Sequence, residues 1–411
     1  MDRIVELEKP ESLQGDELVL IDEAGDRTPG QISGIDEDRL VFRADSLPPL
    51  GGRSFEVVEQ QEDASNELEI TEETMENSAI KIEFGDGGNI VSIRDKEAGR
   101  QVLSGKGNRF VLYRDLPTEY DAWELEGDIY EVGDELSAPQ EVKVIESGPV
   151  RATLRTRIEF GRSEMVQDIS LYPDSKRIDF RTRVDWHEKN SLLKVHFPVN
   201  VRTETAKYEV QYGHHERPTH SNTGWDEARY EVPHQKWVEV SEYGYGASVL
   251  NECKYGVNVD GSEIGLSLLR APESPDPKAD MGSQEFTYSF YPHEGDFRPA
   301  GTIQQAYDLN SKPEVRGVES PRRIEPLLEV GDANVVVEAV KRAEDSERAV
   351  VVRFYESWGK RTSVEVKTRF EPERVFTVNL IEDEKEELNT GNGKLELEFK
   401  PFEIKSLKMY F

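Results

Sequence analysis

One cysteine, Cys253, is all that 411 residues offer. That excludes an intrachain disulfide and a zinc cluster built on cysteine. Flanked by Leu250 and Gly256, the thiol is expected to be a small buried hydrophobe rather than a reactive group. No apolar run approaches the roughly 18 residues that a spanning helix needs, so no membrane partner is expected. Residues 1–8 carry neither a basic stretch nor an apolar one after it, so no secretory signal is read and a cytoplasmic location is expected. Positive charge is short: 51 Lys and Arg stand against 83 Asp and Glu, a net of −32. The acids are spread along the chain, which argues against nucleic acid as a partner. Arginine outnumbers lysine, 30 to 21. With dispersed acid, that fits a halophilic cytosol, where molar salt shrinks the screening length to about 3 Å. Internal repeats, glycine-rich phosphate loops and serine nucleophile elbows are also missing.

What is present is strand pattern, and the expected fold class is all-β. Short β-rich runs at 18–22, 39–43 and 54–58, separated by Asp/Gly turns, point to a small N-terminal β unit over 1–62. Residues 60–66 read as a linker. A hairpin follows, 79–84 and 90–94 joined by the glycine-rich turn 85–89. Period-two alternation at 151–160 and 177–184 predicts antiparallel strands with one wet face. Further strands are expected at 194–199, 264–269 and 284–292. Residues 296–309 are the best helix candidate and 311–326 a linker. Six strands between 334 and 409 predict a C-terminal β-sandwich over 327–411.

Six of the seven histidines and three of the five tryptophans fall between Val184 and Tyr245. Imidazole, guanidinium, carboxylate and indole together suit a polar ligand such as a sugar, which offers hydroxyls to bond and ring faces to stack. The alternative is polar loops whose histidines satisfy local backbone. His214 and His215 are adjacent, and both could reach one metal only from a loop. The cluster Tyr120-Asp121-Ala122-Trp123-Glu124 could bind a sugar or pack beside a turn. With so many acids, no carboxylate pair can be singled out for glycoside chemistry.

Several long words resemble the C-terminal half of glycoside hydrolase family 38, the α-mannosidases. They are Val-Asp-Trp-His-Glu-Lys at 184–189, Leu-Leu-Lys-Val at 192–195 and Phe-Pro-Val at 197–199. Others are Glu216-Arg217-Pro218-Thr219-His220 with Asn222-Thr223 and Trp225-Asp226, Asp121-Ala122-Trp123, and Lys-Pro-Phe-Glu-Ile-Lys at 400–405. The resemblance covers nearly the whole chain. It implies a galactose mutarotase-like antiparallel super-sandwich over 67–310, flanked by the partial N-terminal unit and the C-terminal sandwich.

It also implies hydrolysis of terminal α-mannosides, retaining and zinc-dependent. In that family a preceding α/β barrel supplies the aspartate nucleophile and most zinc ligands, including a His-x-Asp pair. Nothing here matches it, and no histidine precedes His187. The family's strand before this point is also absent. The expectation is therefore a C-terminal portion: a split-gene subunit, a truncated reading frame or an expressed fragment. Such a chain holds no catalytic residue, no metal ligand and no cofactor of its own; zinc belongs to the full enzyme. A separate barrel-domain chain is the implied partner, and a homo-oligomer is left open. The pocket wall would come from His214, Arg217, His220, Trp225 and Asp226, with Asp121 and Trp123, binding an α-mannoside or other carbohydrate. The alternatives are that these residues hold an interface, or that the chain is a stand-alone carbohydrate-binding module or a remnant without function.

Overall fold

Alternating apolar residues become half-buried strands throughout the computed structural model, which describes every residue except 1, 2, 11, 12, 14, 16, 17, 61–66, 86, 87 and 321. The expected linker at 60–66 thus falls largely outside the described residues, whereas the expected hairpin forms: Ile80–Phe84 pairs antiparallel with Ile90–Asp95, and Gly85 N–H donates to Asn89 O at 2.9 Å across the turn. All strand pairs within the sheets are antiparallel, and the fold is all-β.

The N-terminal strands form a five-stranded sheet in the order Arg3–Glu8, Arg39–Ala44, Arg27–Ile32, Leu18–Asp22, Phe55–Glu59. Its core holds Val5, Leu18, Leu20, Leu40 and Phe42. The central strand Arg27–Ile32 carries Pro29 and Gly30, which read as breakers in sequence. Gly30 is needed there: a Cβ would lie 2.9 Å from Leu20 and 3.0 Å from Leu40.

A nine-stranded and a six-stranded sheet make the super-sandwich. The long strands Ala152–Phe160, Ser163–Leu171, Ile178–Trp186 and Gly282–Glu294 lie side by side in the larger sheet. The smaller one centres on Arg109–Arg114, Ser191–Pro198 and Glu263–Arg270. Both send Leu154, Phe180, Phe197, Leu266 and Phe290 into one shared core. Trp186 and Trp237 are 0% and 1% exposed, so neither is available to a ligand. Cys253 is exposed, against the expectation of burial.

The expected helix is shorter than its pattern, Thr302–Asn310. Its Ile303, Ala306 and Leu309 pack with Trp237, Leu250 and Phe297, and with Val336 and Trp358 of the C-terminal sandwich. There a three-stranded and a five-stranded sheet enclose Val352, Phe354, Val366, Leu397 and Leu407. The acid-rich Glu384–Leu388 is an exposed edge strand, a solvated face as its composition suggests. No helix among the described residues is long and apolar enough to cross a membrane.

Candidate functional site

The residues His214 to Pro218 do not form a loop. Gly213–Pro218 is the edge strand of the nine-stranded sheet, paired with Thr205–Val210 so that Glu209 faces His214 and Ala206 faces Arg217. Strand alternation then turns His214 and His215 to opposite faces, which removes them as a joint metal pair.

His214 enters the seam with the C-terminal sandwich. Its ring meets Phe297 and Phe402 edge-on at 5.2 and 5.0 Å. Arg298 Nη2 donates to Nε2 at 3.4 Å, so Nδ1–H donates to Ser357 O at 3.3 Å. Burial, with the Arg298 charge, takes the imidazole down to about 4. His214 is thus placed as a junction residue. Arg217 points to the other face, its guanidinium carbon 4.6 Å from the Tyr208 ring centre. Its Nη1 is buried and has no hydrogen-bond partner among the described residues.

His220, Trp225 and Asp226 share one turn. Thr223 caps the short helix Gly224–Glu227, accepting the Asp226 N–H at 3.3 Å and donating its hydroxyl to Asp226 Oδ2 at 2.8 Å. The Thr223 hydroxyl and the neighbouring Arg229 hold the Asp226 carboxyl below its usual range. His220 Nδ1 stands 3.7 Å from Asp226. Asp226 is thus occupied inside its own turn, while Trp225 is 84% exposed.

Asp121 and Trp123 divide in the same way. Asp121 Oδ2 accepts the Glu273 and Ser274 N–H groups at 2.7 and 2.9 Å, tying two loops. Trp123 is 75% exposed. The two tryptophan-bearing loops touch: the Tyr230 hydroxyl donates to Leu125 O, and a Cβ on Gly127 would come within 3.1 Å of the Tyr230 ring. Arg270 grips Asp115 at 2.5 and 3.2 Å and also donates to Glu124 O, so the first loop is fastened to the sheet. The structure therefore brings Trp123 and Trp225 onto one connected pair of loops, and His214 elsewhere.

Beneath those loops lies a polar group that sequence reasoning missed. Lys194 is fully buried, with Nζ donating to Glu231 Oε2 at 2.5 Å and to the Tyr130 hydroxyl at 3.1 Å. Ser267 donates to Glu231 Oε1 at 2.5 Å. Next to it, Tyr113 Oη and His196 Nε2 are 3.1 Å apart, and Glu263 is 2.8 Å from His196 Nδ1. Burial lowers both the Lys194 ammonium and the His196 imidazole, with Glu231 and Glu263 partly opposing it. The available signal was Leu-Leu-Lys-Val-His-Phe, where two polar residues interrupt an apolar strand at period two.

His234 supplies a pH test. Lys254 N–H donates to Asn251 Oδ1 at 2.8 Å, which leaves the Asn251 amide to donate to His234 Nε2, also at 2.8 Å. His234 Nδ1–H then donates to Tyr255 O at 3.1 Å. A second ring proton would meet the Asn251 amide head-on. Burial takes this histidine from 6.5 to about 4. Because the folded value lies below the unfolded one, its stabilisation is whole above about pH 6.5 and is lost as pH falls toward 4. Thermal denaturation should therefore show His234→Gln losing less stability than the parent between pH 7 and 5, by about 2 kcal/mol. Equal losses would contradict this.

Among the described residues, no group of close donors offers the histidine or cysteine ligands usual for zinc. Among the described residues, the cluster close enough to hold an ion is Asp95, Glu97 and Glu294, all carboxylate. The Lys176 ammonium already sits among them, 2.9 Å from Asp95 and 2.7 Å from Glu97. A groove of about 1020 Å³ lies elsewhere, between the N-terminal sheet and the outer face of the nine-stranded sheet. None of the sequence-predicted site residues lines it, and its arginines are largely matched by acids, as Arg177 is by Asp179.

The model of the glycosyl hydrolases family 38 C-terminal domain matches residues 75–278, and that of the family 38 C-terminal beta sandwich domain matches 334–407. The chain belongs to glycosyl hydrolase family 38. Within the family it corresponds to a C-terminal part. It is 36% identical over 366 residues to alpha-mannosidase G of Dictyostelium discoideum, covering 85% of this chain and 33% of that protein. Human alpha-mannosidase 2C1 is also 36% identical, with 88% of this chain and 35% of that protein covered. The family 38 chain thus spans about a third of the length of these relatives. A solved alpha-mannosidase from Enterococcus faecalis V583 shares the fold, with a TM-score of 0.74 at 18% identity, over 99% of this chain and 54% of that one. Both tryptophan loops fall inside the first matched region.

Proposed function

We propose that this chain serves hydrolysis of terminal α-mannosides as the non-catalytic wall of the substrate pocket. The nucleophile and the zinc belong to a barrel domain outside these residues. The division is 1–62, 67–310 and 327–411, with the middle unit carrying the wall. The observation that supports this most is the pair of exposed indoles, Trp123 and Trp225, on loops bonded to each other. An exposed indole stacks on the apolar face of a sugar ring, and two of them offer two such faces. Arg217 adds a guanidinium nitrogen that is buried and has no acceptor among the described residues. The proposed setting is a salt-rich cytoplasm, where the acidic surface is screened.

One observation favours the stand-alone carbohydrate-binding reading. In the N-terminal unit, Leu50 is the only large apolar residue exposed among the described residues, so the described part of that unit presents no bare apolar face to a missing domain. Calorimetry with α-mannobiose separates the readings from a remnant without function, which would give a flat titration. In either binding mode Trp225→Ala and Trp123→Ala should each weaken binding by roughly fivefold or more. Adding a family 38 barrel domain and assaying an aryl α-mannoside then decides between wall and module. A rate above that of the barrel domain alone supports the wall.

A further inference from the structure

We propose that Lys194 is the positioning residue of the aromatic wall, holding both tryptophan loops to the sheet through one buried ion pair. The inference rests on the pocket-wall reading above and deepens it. Lys194 lies mid-strand in Ser191–Pro198, opposite Ser267 in the neighbouring strand. From there its ammonium reaches Tyr130 from the first loop segment and Glu231 from the second. Tyr130 and Glu231 also bond each other through the tyrosine hydroxyl, and Ser267 anchors the other carboxylate oxygen to the sheet. The Lys194 nitrogen is 5.0 Å from the Tyr130 ring centre, so it also holds the ring by a cation–π contact. Gly256 leaves room for this arrangement, since a Cβ there would come within 2.9 Å of Glu231 Oε1.

Two loops that carry the exposed indoles therefore share a single buried anchor. Arg270 fastens only the first of them. A buried pair is expensive to break from one side, because the remaining charge is stranded, whereas removing both charges is much milder. That asymmetry separates positioning from folding.

The test is amide hydrogen exchange by mass spectrometry on the full chain, with Lys194→Met and the double variant Lys194→Met/Glu231→Leu. The single variant should be clearly less stable, and the double variant should recover most of the parent's melting temperature. In the double variant, residues 116–135 and 222–234 should still exchange at least tenfold faster, while 152–186 exchange as in the parent. Faster exchange throughout the sheets, or unchanged loops in the double variant, would overturn the proposal. Calorimetry with α-mannobiose forms the second arm. If the parent binds, the double variant should bind at least tenfold more weakly, and equal binding overturns the positioning role. If the parent does not bind, the pocket-wall reading fails and with it this role in sugar binding; the exchange arm then reports the clamp by itself.

Discussion

Glu356→Gln should cost the C-terminal sandwich about 3–5 kcal/mol and lower its melting transition by more than about 10 °C. The Glu356 carboxylate is fully buried and accepts from every side. Oε1 receives the Asn334 side-chain amide and the Trp358 N–H, each at 2.8 Å. Oε2 receives the Gly359, Lys360 and Phe402 N–H groups at 2.8, 3.1 and 3.1 Å. The chain curls round it because Gly359 sits at φ 76°, where a Cβ would also strike Phe402 at 2.7 Å. Glutamine has nearly the same shape but turns an amide donor toward these donors and lacks the charge that strengthens each bond. The next residue, Ser357, accepts from His214, and Trp358 O accepts from Arg298 at 2.9 Å, so the seam should loosen as well. Differential scanning calorimetry checks this, and a loss under about 1 kcal/mol would mean that water or repacking replaces the acceptor.

Arg151→Met should be nearly as damaging, by about 3–5 kcal/mol, and should uncouple the N-terminal sheet from the super-sandwich. The Arg151 guanidinium is buried beside the buried Glu146, with Nε to Oε2 at 2.7 Å and Nη2 to Oε1 at 2.9 Å. The same side chain reaches Glu6 and, at 3.0 Å, the Ser33 hydroxyl, both on the N-terminal unit. Glu146 reaches back as well, accepting the Gly34 N–H at 2.8 Å. Methionine would leave the Glu146 carboxylate buried without its cation. Urea unfolding should split into two transitions, and the second change Glu146→Gln should recover much of the loss. A single unshifted transition would contradict the account.

Strand positions were legible because one buried face imposes period two, as in Ala152–Phe160 with its burial alternating along much of its length. Arg27–Ile32 was not, because Pro29 and Gly30 mimic a turn until the close approach of Leu20 and Leu40 is known. Gly213–Pro218 was not, because an edge strand with little buried surface leaves no apolar alternation to read. The histidine cluster was real in sequence but disperses in space. His214 enters a seam, His196 and His234 are buried, and His215 and His220 lie at the surface. Among the aromatics, proximity in sequence could not tell Trp225 from Trp237: the first sits on the short surface helix Gly224–Glu227, while the second opens the strand Trp237–Glu242 and enters the core. Lys194 was hidden for a related reason: its value lies in partners 64 and 37 residues away.

In the proposed function this chain shapes a mannoside site without owning the groups that cleave the bond. Purified to homogeneity and assayed with an aryl α-mannoside across a series of zinc concentrations, it should release no aryl product above the blank. Steady turnover that follows the concentration of this chain through every purification step would contradict the account.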